Sequence, residues 1–77
     1  MPTILRILGY RIGFFSADGD EPPHVHVARD DCQAKFWLDP VRLANNIGFR
    51  RHELNEVARV LEENQPTLFN AWHEYFG

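Results

Sequence analysis

A chain of 77 residues, 44% hydrophobic and 25% charged, is long enough for one folded domain and too short for two. Eight basic against eleven acidic side chains give a formal charge of −3, which excludes the overall basic excess of a non-specific nucleic-acid binder and leaves room only for a local basic patch. A single cysteine cannot close an intrachain disulfide, residues Met1 to Arg6 lack the layout of a secretory signal, and no apolar run approaches the ~20 residues that cross a bilayer, so the expected compartment is the cytosol, with no membrane contact.

In chain order, runs rich in Ile, Val, Phe and Tyr predict strands over 3–8, 10–16, 24–28 and 32–38. Gly9, the polar stretch from Ala17 to Pro23, and Arg29-Asp30-Asp31 separate them as turns. Asp39-Pro40 ends the fourth, and the segment from Val41 to Asn46 is read as a fifth strand in preference to a helical turn. After Gly48 the period changes. Leu54, Val57, Ala58 and Leu61 repeat at i, i+3, i+4, i+7, and Leu68, Phe69, Trp72 and Phe76 repeat it again. Pro66 suits only a first helical turn, so two helices are expected to meet near Asn64-Gln65. The expected fold is α+β over a single domain, 1–77: an antiparallel sheet of four or five strands packed against two C-terminal helices. A domain of this size buries only roughly 60% of its unfolded surface. The six Phe, two Tyr and two Trp, a partner chain, or self-association are the ways to compensate.

Alternation sorts the two faces of this sheet, because successive strand side chains point to opposite sides. Cys32, Ala34, Phe36 and Leu38 form an apolar set opposite Gln33, Lys35 and Trp37, and Val25 and Val27 oppose His24 and His26. Leu5 and Ile7 oppose Arg6, while Tyr10, Ile12 and Phe14 oppose Arg11, Gly13 and Phe15. With the helices on the apolar set, the uncovered face collects Arg6, Arg11, Lys35 and Arg42 with His24, His26, Phe15 and Trp37, and no carboxylate from the strands. Arg6, Arg11, Lys35 and Trp37 are the candidate ligand-binding residues, since cations and aromatic rings together suit phosphates and stacked bases. A merely solvated face is the competing reading.

The segment Pro22-Pro23-His24-Val25-His26-Val27 projects two imidazoles to one side, which makes His24 and His26 the candidate catalytic pair, as general base and general acid. Cleavage of RNA by such a pair needs no metal, because the 2′-hydroxyl supplies the nucleophile. A metal site needs at least a third ligand, for which Asp20 and Glu21 are nearest and His73 remote, so no metal or other cofactor is assigned. A structural pair, hydrogen-bonded to loop groups, is the alternative. Cys32, on the core side, packs as a small hydrophobe. Arg50 and Arg51 have no evident structural reward, and with Arg42 and His52 they form an acid-free basic segment between Asp39 and Glu53 that suits an acidic partner or phosphate, or is simply solvated.

The opening residues from Met1 to Ile7, the segments Glu21-Pro22-Pro23-His24-Val25-His26-Val27 and Ala34-Lys35-Phe36-Trp37-Leu38-Asp39-Pro40, and the ending Ala71-Trp72-His73-Glu74-Tyr75-Phe76 resemble the bacterial and archaeal family called domain of unknown function 4160. The chain departs from the family's pattern at Arg50, where a small polar helix cap is common, and at Pro66, which interrupts a segment that usually favours helix. The resemblance implies a small protein whose gene neighbours one for a second small domain, domain of unknown function 2442, in a toxin–antitoxin-type pair. Two functions follow: a protein that binds that partner, or an RNA-cleaving or RNA-binding toxin using His24 and His26 beside Arg6, Arg11 and Lys35. A transcription factor ranks below both, because the first helix is mainly acidic on its exposed face.

Overall fold

The structure, a computed structural model, describes residues 3–77; Met1 and Pro2, part of the opening segment discussed above, lie outside the described residues. Five strands, β1 (Thr3–Ile7), β2 (Tyr10–Gly13), β3 (His24–Arg29), β4 (Cys32–Leu38) and β5 (Val41–Ile47), pair antiparallel in sequence order. Helices α1 (Arg51–Glu63) and α2 (Gln65–Phe76) follow, which is the expected α+β order with the fifth segment a strand. Leu8 and Gly9, at φ 53° and 81°, make the β1–β2 connection, and two successive left-handed residues are what a tight hairpin of this hand requires. One expected boundary is corrected. β2 ends at Gly13, three residues early, because Phe14 and Phe15 leave the sheet for a 3-10 turn at Ser16–Asp20.

The strand phase matches the alternation. Tyr10, Ile12, Val25, Val27, Ala34, Phe36 and Leu38 are buried against Val57, Val60 and Leu61 of α1 and Leu68 of α2. Leu54 and Ala58 flank this core half-buried, and Val60 takes a core place that the apolar spacing left out. The entry of α1 explains how Arg50 is tolerated as its N-cap. The Arg50 N–H donates to Glu53 Oε1 at 2.9 Å, so the capping interaction comes from the third helical residue. Glu53 also accepts from the Arg29 guanidinium of β3, tying helix to sheet. The Arg50 amide first, and then Arg29, hold the Glu53 carboxyl below its usual range. Asn64 ends α1 and precedes α2, and Pro66 lies in the first turn of α2, where its missing N–H costs nothing.

Candidate functional site

Cross-strand register arranges the uncovered face in rows. Arg6 lies opposite Arg11, which neighbours Ala28 and then Gln33 and Ile47; His26 lies opposite Gly13 and Lys35; His24 lies opposite Trp37, which faces Arg42. Arg6, Arg11, Lys35, Trp37, Arg42 and His26 thus share one side of the sheet, with Phe15 over His26 at 4.8 Å between ring centres. The charge on this side differs from the strand-only reading, because the loop after β2 brings carboxylates onto it. Glu21 Oε1 accepts from Lys35 Nζ at 2.7 Å, and the ammonium also lies 4.7 Å from the centre of the Trp37 ring. That hydrogen bond is the main cause that lowers the Glu21 carboxyl below its usual range. Among the described residues, Arg6, Arg11 and Arg42 have no carboxylate within ion-pair distance, so cationic character is concentrated at the β1–β2 corner and, separately, on β5. Two shallow hollows meet at Phe15, His26 and Gln33; one extends to Arg11 and Thr3 and has a volume of about 250 Å³, the other to Lys35 and Ile47.

The two histidines do not share that surface. His26 is partly exposed, whereas His24 is fully buried, so the expectation of two uncovered imidazoles is corrected for His24. Trp72 of α2 reaches the end of the sheet and lies 5.0 Å from the His24 ring, Trp37 lies at 5.7 Å, and His26 at 5.2 Å. His24 Nδ1 is 2.9 Å from the Pro22 carbonyl oxygen. A carbonyl only accepts, so Nδ1 carries the hydrogen and, in the neutral ring, Nε2 presents a lone pair. Among the described residues that Nε2 has no hydrogen-bond partner. It faces Asp18 Oδ2 at 3.3 Å without hydrogen-bond geometry, and Glu21 Oε1 at 3.8 Å.

Asp18 is where the sequence reading missed. Its Oδ2 accepts from the Phe15 N–H at 2.8 Å and lies 3.0 Å from His26 Nε2, so the third member of the cluster is Asp18, while Asp20 is exposed and neither it nor His73 is in the group. Gly19 eases this placement: a Cβ there would meet Phe76 Cδ1 at 2.7 Å, so any larger residue would require the Phe76 ring to shift before the 3-10 turn could settle against α2. Burial lowers the His26 imidazole below its usual range despite the Asp18 carboxylate. Chemically, the cluster offers two imidazole nitrogens and one carboxylate oxygen converging in a partly enclosed space. The surface beyond it offers guanidinium and aromatic groups to a larger ligand.

No helix among the described residues is long and apolar enough to cross a membrane. No curated protein and no solved structure matches the chain. The family model described as "Domain of unknown function (DUF4160)" matches residues 9–73, a span that holds every strand but the first, the His24–His26 segment and Trp72. On that match, the chain belongs to the domain of unknown function 4160 family.

Proposed function

We propose that this chain is a binding protein of the cytosol, one component of a two-protein toxin–antitoxin-type module. It docks its partner, a small protein of the domain of unknown function 2442 type, on the open face of the sheet. The observation that supports this reading most is the Arg6–Arg11 pair, directly opposite across β1 and β2 and, among the described residues, without a carboxylate within ion-pair distance. Like charges so placed cost roughly 0.2–1 kcal/mol, a cost removed when an acidic group of a partner comes between them. Phe15 at 44% exposure and Ile47 at 59% flank the same face, and aromatic, apolar and arginine side chains together are typical of the centre of an interface. The edge strand β5 adds a second route. It is exposed from Arg42 to Ile47 and carries one charge, so little protects its backbone from pairing with a partner strand.

The same face suits a single-stranded RNA as a second reading, favoured by the hollow in which Arg11 and Phe15 sit together. His24 has no route to a phosphodiester from its buried position, which supports binding over cleavage. Co-expression with the neighbouring gene product, followed by affinity measurement, tests the proposal. Wild type is expected to co-purify with the partner, and Arg11→Glu or Phe15→Ala to weaken the complex at least about tenfold, the effect of losing one interface anchor. Unchanged affinity in both variants would remove the open face as the docking surface. Release of bound RNA by salt, with no protein partner retained, would favour the second reading.

A further inference from the structure

We infer that Asp18, His24 and His26 hold a divalent transition-metal ion of the zinc class, a site that goes beyond partner docking and stands whether or not that reading does. His24 carries the argument. Its ring is fully buried, its Nδ1–H is committed to the Pro22 carbonyl, and its Nε2 has no hydrogen-bond partner among the described residues. An unpartnered polar atom in the interior is costly and needs a reason. Here, in the neutral ring, the lone pair and the Asp18 carboxylate oxygen are two acceptors 3.3 Å apart with no hydrogen bond between them, an arrangement that is repulsive when empty and relieved when a cation is shared by both.

The remaining geometry agrees. His26 Nε2 lies 3.0 Å from the same Asp18 oxygen, and the three donor atoms all fall within 4.8 Å of one another. Zinc bonds of ~2.0–2.2 Å in a tetrahedral arrangement place neighbouring donors about 3.3–3.5 Å apart, close to the 3.3 Å and 3.0 Å that separate the Asp18 oxygen from the two imidazole nitrogens. The bond from Nδ1–H to a backbone carbonyl is the support that metal-binding imidazoles ordinarily have, since it fixes the tautomer and aims Nε2. Trp37 and Trp72 enclose the His24 side of the cluster. Two nitrogens and one oxygen favour a zinc-class ion over magnesium or calcium, which take all-oxygen sites. Glu21, the next nearest oxygen, is engaged by Lys35, so a three-ligand ion keeps one position open beside the hollow that His26 lines. On this reading the ion clamps the 3-10 turn to β3, and the two histidines act together as ligands of one ion.

The full chain, expressed without a histidine tag and stripped with a chelator, is titrated with Zn²⁺ by calorimetry, with Co²⁺ absorption as a second readout. One equivalent of zinc, visible ligand-field bands on cobalt addition, and a higher melting temperature in zinc are expected. Asp18→Ala and His26→Gln, both outside the sealed core, are expected to weaken zinc at least about 100-fold with unchanged far-ultraviolet circular dichroism, and His52→Ala and His73→Ala to leave it unchanged. These variants keep the test decisive even where His24→Gln does not fold. Failure of wild type to bind zinc at micromolar concentration, or binding that survives both Asp18→Ala and His26→Gln, would overturn the site.

Discussion

Trp72→Ala is expected to cost about 3–5 kcal/mol, the range for truncating a buried aromatic side chain to alanine. The indole is 4% exposed and packs edge-on to Phe14 at 5.4 Å, against Phe76 at 4.3 Å and over His24 at 5.0 Å. Its loss opens a cavity where α2 meets the end of the sheet, beside the buried Phe14 and His24 rings. Domains have total stabilities of roughly 5–15 kcal/mol, with small ones near the bottom, so the variant should retain little cooperative unfolding at room temperature. Urea melts of wild type, Trp72→Ala and Trp72→Phe check this, with the phenylalanine variant keeping most of the lost stability. A loss within about 0.5 kcal/mol for Trp72→Ala, the size of a surface substitution, would contradict the packing described.

A loss of stability at alkaline pH is the second large effect, and it belongs to Tyr10. The ring is fully buried, its hydroxyl donates to Glu56 Oε1 at 2.7 Å, and the Arg29 guanidinium lies over its face at 4.1 Å. Burial above all, and then the bond to Glu56, push its pKa from 10.0 up to about 12. A folded-state pKa above the unfolded value means the neutral phenol is the form that folding favours. The resulting stability is therefore fully present below about pH 10 and is lost as pH rises through about 12, in all roughly 2–3 kcal/mol. Denaturation midpoints measured from about pH 8 upward should fall across that window in wild type. In Tyr10→Phe the fall should be largely absent, after a cost at neutral pH of about 1 kcal/mol for leaving the Glu56 carboxylate without its donor. Parallel declines in the two proteins would assign the alkaline loss elsewhere.

The fold was legible because its signals are local. Val25 and Val27 alternate with His24 and His26, and Ala34, Phe36 and Leu38 with Lys35 and Trp37, and the sheet keeps that phase. Pro66 marked the start of α2. The site was only half legible. Two histidines two residues apart in a strand were visible, but their division into one sealed and one half-open ring depends on Trp72, 48 positions beyond His24, and on a turn whose polar sequence has no period. Alternation assigns a face and says nothing of what later folds over its end. Asp18 was hidden for the same reason, since proximity along the chain favoured Asp20 and Glu21. Gly19, the residue that lets the turn approach Phe76, was the one signal next to Asp18 that could have pointed there. Arg50 is tolerated at the helix entry because the interaction there runs through its backbone N–H to Glu53 and does not use its side chain.

The nitrogen chemical shifts of the histidine rings, recorded by NMR on the chain first free of metal and then with one equivalent of Zn²⁺, test most directly whether His24 Nε2 is a lone pair held ready for a cation. The account predicts that His24 Nδ1 keeps the hydrogen it donates to the Pro22 carbonyl both without metal and with it. On zinc addition the Nε2 resonances of His24 and His26 should move together to metal-bound positions while those of His52 and His73 stay in place. A His24 ring protonated on both nitrogens throughout, or one that ignores zinc, would contradict it.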